Sequence, residues 1–118
     1  TVTCKYPWMH ADVKLFNATP HMHRRGKSLK SETTSGRVLA DQPRFDFEAQ
    51  VGYPVTSEIH RGDVVKTTCV WTNPDDTEVR FGEGTEDEMC FSFVAYSPRI
   101  ASILSWGQPT ALATCDEQ

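Results

Sequence analysis

Along the chain, short runs rich in Val, Phe, Thr and Tyr alternate with polar residues, and no stretch keeps a 3.6-residue apolar period. Two-residue alternation buries one side of an extended segment, so the pattern predicts an all-β protein. Strands are expected over Asp12 to Asn17, Ser28 to Thr33, Arg37 to Asp41, Phe45 to Gln50, Val55 to Ile59, Val64 to Thr72, Glu78 to Phe81 and Met89 to Tyr96. Turn formers separate nearly all of them. Ser35-Gly36 divides the second from the third, His60-Arg61-Gly62-Asp63 precedes the sixth, and Asn73-Pro74-Asp75-Asp76 ends it. So many short strands suggest an antiparallel β-sandwich. From Pro98 onward the pattern is less decided: Ile100 to Trp106 reads as a strand or a turn of helix before Gly107 and Pro109 break it.

A length of 118 residues predicts one domain, residues 1–118, large enough for a core but small enough to gain from covalent staples. With a formal charge of −4 and an ordinary charged fraction, nothing resembles a phosphate-binding protein beyond one short basic cluster, Arg24, Arg25 and Lys27, which reads as a solvated turn. No apolar run approaches the ~20 residues that span a bilayer, and no charged-then-apolar leader opens the sequence. The chain starts at Thr1, which fits either a processed mature protein or an excised piece of something longer.

Four cysteines, Cys4, Cys69, Cys90 and Cys115, are widely spread with no C-x-x-C pair, which argues against a thiolate zinc site and for disulfides. Three pairings are possible. The nested one, Cys4 with Cys115 and Cys69 with Cys90, is preferred; it ties the termini outside and two central strands inside. Disulfides imply an oxidising compartment, hence secretion, a periplasm or a lumen. Asn17-Ala18-Thr19 matches the glycosylation pattern but is followed by Pro20, and carries little weight.

The candidate chemistry lies in Pro20-His21-Met22-His23 and, far downstream, Asp87-Glu88-Met89-Cys90. On a strand, side chains two residues apart share a face, so His21 and His23 can reach one ion. Imidazole nitrogens joined by a thioether from Met89 favour copper, which cycles between Cu(I) and Cu(II), over zinc, which recruits thiolate or carboxylate. Met89 and Cys90, read as one strand, point to opposite faces, so a bridge from Cys90 to Cys69 clamps the backbone that carries the thioether. Glu86, Asp87 and Glu88 place negative charge nearby, but as hard oxygen donors they are left out of the ligand set.

These residues resemble a known family. The run His21-Met22-His23-Arg24-Arg25-Gly26, then Arg61-Gly62-Asp63-Val64 and Cys69, then Gly84-Thr85-Glu86-Asp87-Glu88-Met89-Cys90, is similar to the C-terminal domain of the copper type II ascorbate-dependent monooxygenases. Dopamine β-hydroxylase and peptidylglycine α-hydroxylating monooxygenase belong to that family. The resemblance runs from Cys4 to Cys115, with the motifs in the same order and a cysteine set consistent with the nested pairing. It implies a β-sandwich of jelly-roll type that binds one copper through His21, His23 and Met89, the residues at which dioxygen is activated. It also implies hydroxylation of a C–H bond in a small organic substrate, with ascorbate as external reductant.

That reaction takes two electrons from the enzyme, and one copper supplies one. In the family the second comes from a copper held by three histidines on another domain. Here only His10 and His60 remain, both expected in surface or structural roles, so full turnover needs a second copper domain or a partner chain. The alternative is a stand-alone, non-enzymatic copper-binding or electron-transfer module. One departure bears on substrate. Positions that hold a substrate carboxylate in the peptide-processing member are Thr19, Phe91 and Phe93 here, which makes a peptidylglycine substrate doubtful. If the two phenylalanines line the site, an apolar or aromatic substrate fits better, although each reads first as core.

Overall fold

The computed structural model describes residues 1–99 and 114–117. Eight strands follow in order: β1 Val2–Pro7, β2 Val13–His21, β3 Gly26–Thr33, β4 Val38–Gln42, β5 Tyr53–Ile59, β6 Val64–Trp71, β7 Phe91–Ser97 and β8 Thr114–Glu117. They form a five-stranded sheet, β4-β3-β6-β1-β8, and a three-stranded sheet, β5-β2-β7. Every ladder in both is antiparallel. Apart from β3 to β4, each step between successive strands changes sheet, the connectivity that wraps a jelly-roll sandwich. The expected all-β sandwich is therefore observed. Among the described residues no helix is long and apolar enough to cross a membrane.

The core has two parts because β2 meets different neighbours at its two ends. At its start Val13 and Leu15 pack with Leu39 and Ile59, flanked by Trp8, Val55, Val65 and Val94. Just past its end Met22 packs with Leu29 and Cys69, flanked by Phe45, Trp71 and Cys90. Both disulfides of the nested pairing are present, Cys4–Cys115 joining β1 to β8 and Cys69–Cys90 joining β6 to the segment before β7. They fit an extracellular or lumenal protein.

The structure departs from the expected elements in four places. Phe45 to Gln50 is not a strand: Asp46 Oδ1 accepts from Glu48 N at 2.9 Å and caps a short 3-10 turn, Phe47–Ala49. Glu78 to Phe81 forms only a single bridge, Phe81 to Glu88, because the chain folds back through Gly82 and Gly84. A Cβ at Gly82 would meet the Asp87 side chain, which would have to move to admit it. Met89 and Cys90 precede β7 rather than open it. Strands β1 and β8 are additional, and the undecided stretch Ile100 to Trp106 lies outside the described residues.

Strand β2 also runs further than expected, through Pro20 to His21. Its pairing with β5 ends at Ala18, so beyond that point β7 alone flanks it. A proline, which cannot donate to a ladder, is tolerated there.

Candidate metal centre

His21 is the last residue of β2, and alternation carries on past it: Met22 is fully buried in the core, while His21 and His23 turn to the opposite side. A tight turn follows, closed by Gly26 N donating to His23 O at 3.0 Å. Gly26 is required there, since a Cβ would sit 2.8 Å from Met22 Cβ and 2.9 Å from Phe45 Cδ1. The imidazole rings come together edge to face with centroids 5.2 Å apart.

Each ring is held by its Nδ1. Gln50 Nε2 donates to Phe47 O at 3.0 Å, which points Oε1 at His21 Nδ1, 2.7 Å away. The Asp87 carbonyl lies 3.0 Å from His23 Nδ1. Both partners are acceptors, so each Nδ1 carries the proton and each Nε2 keeps a lone pair. Metal-binding histidines are oriented in this way, with the second nitrogen hydrogen-bonded to a carbonyl or carboxylate-like oxygen. Two imidazoles sharing one ion at about 2.0 Å per bond have centroids no more than about 6 Å apart, and the observed spacing satisfies that limit. The pair fits a metal.

Among the described residues no group of three His, Cys, Asp or Glu side chains gathers to hold an ion. The ladder between β2 and β7 ends with His21 opposite Phe91, two residues after Met89 in the chain. Cys90 packs with Met22 in the core. The structure brings the two histidine rings together and sets residues 87 and 88 against the His23 turn through the Asp87 carbonyl and the Glu88 carboxylate.

Glu88 fastens that backbone. It is only 8 % exposed, with Oε1 accepting from His23 N at 2.9 Å and from Trp71 Nε1 at 2.7 Å, and Oε2 accepting from Arg25 N at 2.8 Å. Glu88 is thus no solvated acid: without it three inward N–H groups would be buried unpaired. Arg25 is likewise no solvated turn residue: it donates to Asn73 Oδ1, Asp75 Oδ2 and Glu86 O at 3.1, 2.8 and 3.0 Å.

Aromatic rings surround the pair. Phe93 lies 6.1 Å from His21, Phe47 lies 6.1 Å from His23, and Phe81, Phe91 and Phe93 form a continuous strip. Phe91 and Phe93 are 37 % and 55 % exposed, so the core placement expected for them is corrected. They lie on the outer face of the three-stranded sheet, where Phe91 is the ladder partner of His21 and Phe93 that of Thr19. Thr19 itself is turned to Asn17, its Oγ1 donating to Oδ1 at 3.4 Å.

His10 and His60 sit near the opposite end of β2. His10 packs edge-on against Trp8, and His60 places Nε2 3.0 Å from Glu58 Oε1 and Nδ1 3.5 Å from Arg37. A cavity of about 1070 Å³ lies between the sheets, bordered by Leu39, Val65, Val94 and Met89, but neither His21 nor His23 lines it. The two imidazoles thus sit apart from that cavity, whereas Met89 borders it. Gln50, Glu88, Trp71 and Phe47 were not singled out as site residues from the sequence. Only Glu88, next to Met89, carried a positional signal.

The family model described as copper type II ascorbate-dependent monooxygenase, C-terminal domain, matches residues 1–118. Among curated proteins the chain is similar to "MOXD1 homolog 1" of Drosophila melanogaster, 26 % identical over 96 residues. That match covers 75 % of this chain and 14 % of the fly protein, so the chain spans a small part of its relative's length.

Proposed function

We propose, for a chain that belongs to the C-terminal-domain family of copper type II ascorbate-dependent monooxygenases, that His21, His23 and Met89 hold one copper ion. The observation that carries this reading is the pair of imidazoles 5.2 Å apart, each with its Nδ1 bonded and its Nε2 free. When bound, copper supplies one electron per cycle between Cu(I) and Cu(II) and a site for dioxygen. Two imidazoles and a thioether suit both oxidation states better than an all-oxygen set would.

The protein's part is positional. Gln50 and the Asp87 carbonyl each set an oxygen against a ring Nδ1 and so fix the orientation of His21 and His23. The aromatic strip of Phe81, Phe91 and Phe93 offers apolar area beside His21 and no cation. A substrate carboxylate placed there would be left unpaired, whereas an apolar or aromatic group would be covered. The substrate is therefore a small organic molecule whose reacting C–H bond sits on an apolar or aromatic body.

Hydroxylation balances as R–H plus O2 plus two electrons and two protons giving R–OH plus water. One copper supplies half of the electrons. His10 and His60 lie apart from each other's partners and far along β2 from the pair, so the second electron comes from another copper domain or a partner chain with three histidines, and ascorbate restores both. The whole chain 1–118 acts as a single copper-binding domain of a secreted enzyme.

X-ray absorption on the Cu(I) protein tests the ligand set. A sulfur scatterer present in the native protein and lost in Met89→Ala is expected; identical spectra would overturn it. Turnover of a substrate by this chain with ascorbate and oxygen alone would show that no second copper protein is needed. A stand-alone copper-binding module is the second reading, favoured by the placement of His10 and His60 away from the pair; it predicts copper binding without turnover even when a three-histidine partner is supplied.

A further inference from the structure

Met89 lies in a segment without regular structure, between two anchored residues. Glu88 N donates to Arg80 O at 2.9 Å, and Glu88 O accepts from Gly82 N at 3.3 Å. Its side chain reaches Trp71 on β6, while Cys90 on the other side of Met89 is bonded to Cys69 on the same strand. Contacts to β6 therefore hold the backbone on both sides of Met89.

The carboxylate also fixes the other partner. Two of its donors, His23 N and Arg25 N, belong to the turn that closes after β2. One side chain therefore spans the two stretches of backbone whose separation decides whether a thioether reaches the histidines. Both oxygens are taken by N–H groups and the residue is nearly out of contact with solvent, so it is not itself a metal ligand. A thioether is a weak donor on a flexible chain. It binds well only where its backbone is held in advance, because the entropy of ordering it otherwise cancels the gain.

We infer that Glu88 is a positioning residue for the copper site: its buried carboxylate ties residues 87–89 to the His23 turn and sets the reach of the Met89 sulfur without touching the ion. The inference rests on the reading that Met89 is a ligand.

The test is Glu88→Gln, which keeps shape and one acceptor but sets an N–H donor against either the His23 or the Arg25 amide. Copper content, Cu(I) affinity and Cu(I) X-ray absorption are measured on native protein, Glu88→Gln, Met89→Ala and, as a stability control at the far end of β2, Asp63→Asn. In Glu88→Gln both imidazole scatterers are expected to remain, the sulfur contribution to fall, and Cu(I) affinity to drop about 10- to 100-fold. Asp63→Asn, although destabilised, keeps the sulfur signal. If Glu88→Gln does not fold, Glu88→Asp carries the same test, since it keeps the charge but shortens the reach by one methylene. A native sulfur signal in whichever folded Glu88 variant is obtained overturns the inference and leaves Glu88 as a fold staple only. Absence of any sulfur signal in the native protein overturns instead the ligand reading on which it rests.

Discussion

Gln50 is the side chain that faces His21 Nδ1, and Gln50→Leu isolates its effect. The substitution removes the 2.7 Å contact to His21 Nδ1 and leaves His23, held by a backbone carbonyl, untouched. Losing such a partner typically weakens metal binding about 10- to 100-fold. His21 is half-buried, so water replaces part of the lost bond and the lower figure applies. The expected loss is about tenfold in Cu(I) affinity, or about 1.4 kcal/mol. Anaerobic competition against a chromogenic Cu(I) chelator measures it directly. Gln50→Glu retains an oxygen facing Nδ1 and should restore affinity. An affinity of folded Gln50→Leu equal to that of native protein would refute the reasoning, because His21 would then need no oriented tautomer to bind.

Three further outcomes follow from the packing and charges. Acid sensitivity should come largely from two carboxyls whose pKa values lie below their ordinary 3.8 and 4.5: Asp63, held down first by the His60 amide and then by Arg37, and Glu32, held down by Lys66 and Lys30. A depressed folded pKa means the unfolded chain takes up protons first, so their stabilisation is full above those ordinary values and is lost as pH falls through the depressed ones. Urea titrations at stepped pH should show this slope flattened in Asp63→Asn with Glu32→Gln. Met22→Ala empties a fully buried site between the two histidines and should cost about 2 to 5 kcal/mol in urea unfolding; a loss under 1 kcal/mol would mean that the pocket collapses freely. Replacing Cys69 and Cys90 together by Ala opens a loop with a sequence separation of 21 and should lower stability by roughly 3 kcal/mol; Cu(I) affinity should fall too if that bridge clamps Met89.

Alternation and turn chemistry along the chain were enough to specify most of the sandwich, because strands that bury one face must repeat every two residues. They located six of the eight strands, although the predicted start of β7 was two residues early. The polar Thr114–Glu117 offers no hydrophobic signal; it is a strand because β1 and the Cys4–Cys115 bridge supply its partner. Phe45 to Gln50 had strand-like composition, yet the local bond at Asp46 won. Residue types and spacing, together with the disulfide setting and the family resemblance, marked His21, His23 and Met89 as candidate donors, since metal chemistry depends first on which donor atoms are available.

What the chain alone left open were relations between residues far apart in sequence. That Gln50 would face His21, 29 positions away, and that Glu88 would sit under the His23 turn, 65 positions away, depends on the meeting of separate loops. The same is true of Phe91 and Phe93. Their hydrophobicity argued for burial, but β7 sets them on the outer face beside His21, and only the ladder register decides which face a strand residue takes. Composition and spacing determined which donor atoms this protein can offer a metal. Tertiary structure decided how those atoms are held, because orientation, tautomer and reach are set by partners that no local pattern encodes.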